Sequence, residues 1–268
     1  MSSKKTILVT GACDGIGFET ARVLLSLGHT VLVHGRHEQR AVAGIARLHG
    51  AGGHALPVWG DFAQLAQVVA LADQVAALTG HLDVLINNAG LYAQQRSMTR
   101  DGFELTMGVN HFAPFLLTHH LLPLLKKAAT ARIVNVSSMT HDGAALDLND
   151  LDLSANWSGY GAYATSKLAN VLFTRALATR LPGRITANAL HPGVIGTKLL
   201  KQAFRMQGAQ VADGARTPVY LTTSPDVATI NGAYFDQCRE TAVDRRARDT
   251  RLVDALWIAS QTRLAAFG

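Results

Sequence analysis

Cysteine is almost missing from this sequence. Only Cys13 and Cys238 occur in 268 residues, too few for a disulfide framework, so reduced thiols are the default. No spacing of Cys and His resembles a metal site, and His111, His119 and His120 fall in an apolar stretch without matching carboxylates; no metal is expected. No apolar run approaches the ~18 residues that cross a bilayer, and the run Thr6–Thr10 near the start is too short for a signal peptide. The expectation is a cytoplasmic protein without a membrane partner. The net charge of +6 raises the question of nucleic acid, but Arg239, Arg245, Arg246, Arg248 and Arg251 alternate with Glu240, Asp244 and Asp249 and lack stacking aromatics. They read as a solvated helix face. Internal repeats, linkers and low-complexity segments are also missing.

What is present suits one large α/β domain, residues 1–268: 48% of the residues are hydrophobic and 16% charged. Thr6–Thr10 reads as a buried strand, followed at once by Gly11-Ala12-Cys13-Asp14-Gly15-Ile16-Gly17 and a helical pattern over Phe18–Leu27. Glycines there allow positive φ and let a phosphate approach main-chain N–H groups at a helix N-terminus. The turn is built for a pyrophosphate, although its Gly-x-x-x-Gly-x-Gly spacing differs from the common dinucleotide fingerprint. A second strand, Thr30–His34, ends in Gly35-Arg36, where a dinucleotide fold meets the adenosine ribose. Without an acid there, Arg36 offers a planar fork for a 2′-phosphate, which favours NADP(H) and keeps NAD(H) as the alternative. Asp14 opposes this by its charge, and Arg36 also reads as an ordinary solvated arginine.

Helix is expected from about Glu38 to His49 and strand from Ala55 to Trp59; Asp61 beyond it either accepts from an adenine amine or caps a helix starting near Phe62. A fourth strand, Asp83–Asn87, closes in Asn88-Ala89-Gly90, whose small residues suit close approach of a cofactor and whose amides can tie strands together. Residues 103–127 read as one long helix carrying Asn110, kinked at Pro123. A fifth strand, Arg132–Val136, delivers Ser137 and Ser138 at its carboxyl end, where open α/β sheets bind ligands. The polar insert Asp142–Tyr160 is expected to rim the pocket. After a sixth strand, Ile185–Leu190, comes the stiff turn His191-Pro192-Gly193-Val194-Ile195-Gly196-Thr197, with Thr197 placed to bond a cofactor. A mobile apolar lid is expected over 198–216, about 194–216 with its approach, and Arg205 belongs to its basic face. Tyr234–Phe235 reads as a last strand and Thr250–Leu264 as a final helix.

Tyr163 and Lys167, four apart, lie one turn apart on one helix face. An ammonium near a phenol favours the phenolate, which makes Tyr163 a candidate general acid/base.

In order along the chain, Thr10-Gly11-x-x-x-Gly15-x-Gly17, Asn87-Asn88-Ala89-Gly90, Asn110, Ser138, Tyr163-x-x-x-Lys167 and Pro192-Gly193 resemble the short-chain dehydrogenase/reductase family over nearly the whole length. Tyr163–Arg175 and the long interval from Ser138 resemble its retinol-dehydrogenase-like subgroup. That subgroup often has an N-terminal membrane anchor, which this sequence lacks, so retinoid specificity is not carried over. The resemblance implies a Rossmann-type, doubly wound, mostly parallel seven-stranded sheet with helices on both faces. It implies that Tyr163 protonates a carbonyl oxygen, Ser138 hydrogen-bonds that oxygen (Ser137 is the fallback), Lys167 holds the nicotinamide ribose and lowers the phenol's pKa, and Asn110 positions a water. The cofactor set expected is Gly11, Asp14, Gly15, Ile16, Gly17, Arg36, Asp61, Phe62, Asn88, Ala89, Gly90, Tyr163, Lys167, Pro192, Gly193, Ile195 and Thr197.

The expected function is NADPH-dependent carbonyl reduction, reversible as alcohol oxidation, on an apolar ketone or aldehyde. The alternatives are an NAD-linked alcohol dehydrogenase and a catalytically silent NAD(P)-binding regulatory protein. Family members commonly form homodimers or homotetramers through two long helices, here about 103–127 and 162–181.

Overall fold

The computed structural model describes residues 4–204 and 206–268. Strand β1 (Thr6–Val9) shows how the core is built. Successive side chains on a strand point to opposite faces, and here both faces are apolar, because the sheet is covered on each side. Leu8 joins Leu32, Leu85 and Ile133 in one buried layer, whereas Ile7 and Val9 join Val31, Val33, Ile86 and Val134 in the other. Near-continuous Val, Ile and Leu runs are the sequence trace of that double burial.

The other strands are β2 (Thr30–Gly35), β3 (His54–Trp59), β4 (Val84–Asn87), β5 (Ala131–Val136), β6 (Ile185–His191), β7 (Tyr234–Asp236) and β8 (Arg239–Glu240). They form one sheet in the order β3-β2-β1-β4-β5-β6-β7-β8. Every pairing is parallel except β7 with β8, which is antiparallel. The sheet thus has eight strands rather than the seven expected; β8 is two exposed residues in a basic stretch without an apolar signal. The strand order reverses beside β1, and the crevice at such a reversal is where open α/β sheets bind ligands.

Helices α1 (Gly15–Ser26), α2 (Glu38–Arg47) and α3 (Leu65–Leu78) follow the first three strands. The expected helix over 103–127 is instead three pieces: a single turn, α4 (Leu105–Met107), a π-helical turn over Gly108–Phe112, and α5 (Ala113–Lys127). The interruption falls at Asn110, and α5 runs on through Pro123. Helix α6 (Gly159–Arg180) carries Tyr163 and Lys167 and buries 15 of its 22 residues, since it crosses the sheet under further helices.

The segment expected as one lid helix is divided into α7 (Lys198–Phe204) and α8 (Val211–Thr223). Helix α8 packs on α1: a Cβ on Gly214 would come within 2.8 Å of Ile16 Cγ1. Residues 211–216 therefore belong to the fixed layer. Between the two helices the chain is pinned, Gly196 N–H donating to Ala209 O (2.9 Å) and Ala209 N–H to Val194 O (2.9 Å). The flap is the excursion between those bonds; Arg205 lies outside the described residues.

Most of the insert 142–160 packs away from the expected rim; Tyr160, already on α6, is the part that meets Phe204 at the cleft. Buried Glu104 accepts from Trp157 Nε1 (3.0 Å), Glu104 N–H donates to Asp152 Oδ1 (3.0 Å), and Arg263 pairs with Asp152. Helix α9 (Thr250–Leu264) covers the outer side of α5 and α6, with Trp257 against Phe115 (4.8 Å between ring centres) and Phe173 (6.2 Å).

Candidate functional site

A cleft of about 1000 Å³ runs over the carboxyl ends of the central strands, from Arg36 at one end to Tyr163 and Phe204 at the other. Every residue of the expected cofactor set lines it, and of the four expected catalytic groups Ser138, Tyr163 and Lys167 do so. Asn110 stands just behind the wall, fully buried.

The glycine turn is held open for something close to its backbone. Gly11 and Gly15 have φ of +64° and +54°, which side chains with a Cβ rarely adopt. A Cβ on Gly17 would lie 2.3 Å from Asn88 Nδ2 and 2.5 Å from Gly11 O. Asn88 Nδ2 donates to Thr10 O (2.7 Å), and Thr10 Oγ1 accepts from the N–H groups of Asn88 and Ala89 (2.9 and 3.0 Å), locking β1 to β4. Asn87 makes the next tie, donating to Asn135 Oδ1 (2.8 Å) and Thr118 Oγ1 (3.1 Å). From β2, His34 Nδ1 accepts the Gly11 N–H (3.0 Å), so Nε2 carries the proton and donates to Gly60 O (2.9 Å). Burial holds His34 neutral, its pKa pushed down to about 4. The turn, the N-terminus of α1 and the space above them fit a pyrophosphate.

Asp14 caps α1, its Oδ1 accepting the Gly15 N–H (2.9 Å). Its Oδ2 takes two cations, Lys198 Nζ at 2.6 Å and Arg40 at 3.8 Å, and the hydrogen bond from Lys198 is the main cause holding its carboxyl below the usual range. Its charge is therefore already offset, which removes the objection to a phosphate nearby. Arg36 is exposed and 4.0 Å from Asp61 Oδ1. Asp61 caps the turn at Ala63 (3.0 Å) rather than a helix; α3 begins later, and the Leu65 N–H donates to Asp101 Oδ2 (2.8 Å). Phe62 stacks on His34, ring centres 4.8 Å apart.

At the other end, the two serines separate cleanly. Ser137 is turned inward, its hydroxyl donating to Lys167 O (2.7 Å). Ser138 accepts from Thr140 N–H (3.2 Å), and it lies on the same cleft wall as Tyr163, where its hydroxyl acts to lower the phenol's pKa. Lys167 Nζ donates to Val136 O (3.0 Å) and lies 5.4 Å from the centre of the Tyr163 ring. The phenol's pKa is pushed up to about 12 and the ammonium's down to about 8, both by burial. The expectation that Lys167 lowers the phenol's pKa is not met, because desolvation of each group outweighs their mutual effect. Tyr163 at neutral pH thus has a proton to give.

Asn110 uses both of its amide N–H groups and one of the two acceptor positions on its oxygen. Oδ1 accepts the Leu91 N–H (2.8 Å), while Nδ2 donates to Leu91 O and to Ser166 Oγ (3.0 Å each). The π-helical turn aims it there, and such turns are frequent at functional sites. A Cβ on Gly90 would lie 3.2 Å from Asn110 Oδ1 and 3.5 Å from Lys167 Nζ, so only glycine lets the two groups share that corner. Ile195 is buried below the cleft, Gly193 turns the chain at φ +96°, and Thr197 Oγ1 accepts the Leu200 N–H (3.2 Å).

The family model for short chain dehydrogenase matches residues 5–208. The chain belongs to the short-chain dehydrogenase family. Within it, the chain is 38% identical to retinol dehydrogenase 14 of Mus musculus, over 96% of this chain and 85% of that protein. A crystal structure of an uncharacterized protein from Mycobacterium paratuberculosis superposes with a TM-score of 0.83 at 33% identity, covering 98% of this chain and 94% of the other. A short chain dehydrogenase from Shigella flexneri, complexed with NADP, gives 0.72 at 26% identity, covering 89% and 98%. This short-chain dehydrogenase is thus retinol-dehydrogenase-like, an NAD(P)-dependent oxidoreductase acting on CH–OH and C=O groups. The catalytically silent alternative is set aside. Among the described residues no cluster of His, Cys, Asp or Glu could hold a metal, and no helix is long and apolar enough to cross a membrane.

Sequence reasoning passed over Arg40, Arg47, Lys198 and Tyr92. Arg47 donates to Cys13 O (2.9 Å) and covers Phe18, bracing the glycine turn. Charged residues on helix surfaces carry no local signal for such roles.

Proposed function

We propose that the enzyme is an NADPH-dependent carbonyl reductase, reversible as an alcohol dehydrogenase, acting on an apolar ketone or aldehyde. The observation that carries this is that Ser138, Tyr163 and Lys167 line one cleft together with every residue of the expected cofactor set. When bound, the dinucleotide supplies the hydride at its nicotinamide. Tyr163 gives its phenolic proton to the carbonyl oxygen, and Ser138 donates a hydrogen bond to that oxygen as negative charge develops. Lys167 holds the nicotinamide ribose and, with a water positioned by Asn110, returns a proton to Tyr163. Gly11, Asp14, Gly15, Ile16 and Gly17 cradle the pyrophosphate. Asp61 and Phe62 border the adenine, Asn88, Ala89 and Gly90 pass under the ribose, and Pro192, Gly193, Ile195 and Thr197 face the nicotinamide end.

Preference for NADPH rests on Arg36, whose exposed guanidinium, paired with Asp61 only at 4.0 Å, can form paired bonds to a 2′-phosphate. The neutral phenol supports reduction as the easier direction near pH 7, since oxidation needs the phenolate. In the same proposal the enzyme is cytoplasmic, as its two unpaired thiols suit a reducing compartment. Assembly as a homodimer or homotetramer through α5 and α6 would involve helices against which Trp257 of α9 already packs.

The test pairs two variants. Tyr163→Phe loses turnover with a panel of aryl and alkyl ketones while NADPH binding is kept; equal turnover removes the proposed acid. Arg36→Ala loses the NADPH advantage in affinity, and an advantage that is missing in the wild type, or that survives the change, makes this an NAD-linked alcohol dehydrogenase or places the phosphate elsewhere.

A further inference from the structure

Phe204, the last residue of α7, meets three tyrosine rings at once, all edge to face. Ring centres are 5.6 Å from Tyr92, 6.3 Å from Tyr160 and 6.1 Å from Tyr163, with interplanar angles of 62°, 88° and 71°. Tyr92 and Tyr163 also touch each other, at 5.7 Å. The tyrosines belong to the body of the fold: Tyr92 follows β4 and is wedged against Gly159, and the other two are on α6. Phe204 does not. It rides on a helix with no buried residue, inside the flap pinned at Val194–Gly196 and Ala209. Among the described residues, exposed side-chain contacts tie that flap down, Gln94 to Gln202 O (3.2 Å) and Lys198 to Asp14. Three rings from the body of the fold thus surround a benzene ring carried on a helix that buries none of its own residues.

We infer that this box of tyrosine rings is an aryl subsite in which Phe204 stands in for the substrate's own ring, so that the enzyme takes aromatic aldehydes and ketones with the carbonyl joined directly to the ring. The inference rests on the proposed carbonyl-reductase reading and narrows its substrate class. Three observations support it. One wall of the box is the Tyr163 ring, so a ring in Phe204's place sits beside the proposed acid, in the cleft that Ser138 also lines. Edge-to-face contact rewards an aromatic quadrupole and gives a saturated ring of the same size no such gain. The box presents ring surface and no charge, as the Lys167 ammonium, beyond Tyr163, is already bonded to Val136 O.

Benzaldehyde and cyclohexanecarbaldehyde share a carbon skeleton and differ in aromaticity, and the ratio of their kcat/KM values with NADPH is the measurement. Relative to wild type, Tyr92→Leu lowers the ratio by about threefold to tenfold, the value of one aromatic pair, and Tyr92→Phe keeps it. An unchanged ratio in Tyr92→Leu overturns the subsite. Phe204→Ala lowers the KM of benzaldehyde, because the competing ring is gone; a raised KM makes Phe204 a wall of the pocket and overturns its role as stand-in. Calorimetric binding of benzyl alcohol against cyclohexylmethanol to the protein loaded with NADP, in wild type and Tyr92→Leu, reads the same box without turnover. If neither aldehyde is reduced but the aryl alcohol binds with the Tyr92-dependent advantage, the reductase reading fails and the box stands. Equal binding of the two alcohols overturns the box.

Discussion

The two ends of the cleft are held by different means. Around the glycine turn, buried and half-buried hydrogen bonds join β1, β2 and β4 through Thr10, His34 and Asn88, at distances of 2.7 to 3.0 Å. Around α7 the attachments are exposed side chains and ring contacts. Buried polar bonds are costly to break because each leaves a group unpaired, whereas an exposed ion pair contributes at most about 1 kcal/mol. The difference teaches that the nucleotide half is fixed before anything binds, and that adaptability is confined to the half that meets the substrate. Changes at the first end should cost stability; changes at the second should alter kinetics alone.

Acid is the strongest way to probe the fixed half. His34 in the cradle and His111 in the core are both buried with pKa values pushed down to about 4, against 6.5 for the unfolded chain. The native state keeps them neutral, so their contribution is fully present above about 6.5 and is lost as pH falls towards 4, on the order of 3 kcal/mol apiece. Urea midpoints measured from pH 7 to 4.5 should fall steeply, and His34→Asn should flatten part of that slope. At the boundary of the two halves, Ser138→Ala should lower kcat by about 100-fold, near 2.7 kcal/mol, with little change in Tm. Ser137→Ala should do the reverse, since its hydroxyl braces Lys167 O. Gly17→Ala should cost about 2 kcal/mol in denaturation and weaken NADPH binding, as its Cβ has no room beside Asn88 and Gly11. The smallest effect belongs to the flap. Lys198→Ala should change stability by under about 1 kcal/mol while shifting KM, and 0.5 M salt should mimic it. A large loss of Tm in Lys198→Ala would erase the contrast.

Much of this was legible in the sequence. Strand, glycine turn and helix are encoded locally, and seven strands announce themselves by apolar runs with turn residues after them. Tyr163 and Lys167 share a face by helical spacing alone. The π-helical turn was not legible, because Gly108–Phe112 continues the apolar composition on either side and only the backbone reveals that its bonds reach one residue further. The flap's division escaped for a related reason: Leu199, Leu200 and Phe204 resemble the apolar face of a longer helix, while the bonds at Ala209 that end it are between backbone groups. The shift of Tyr163 was missed in direction, since pair spacing says nothing of how completely the phenol is withdrawn from water.

Helix α9 has a consequence for how the chain could be shortened. Trp257 is the lid on a seam of rings, with Phe115 and Phe173 beneath it and Arg180 held against its face at 4.9 Å and by Asp254 at 2.6 Å. A version ending before Thr250 would keep every group of the cleft wall and still expose that greasy strip along α5 and α6, giving a protein prone to self-association.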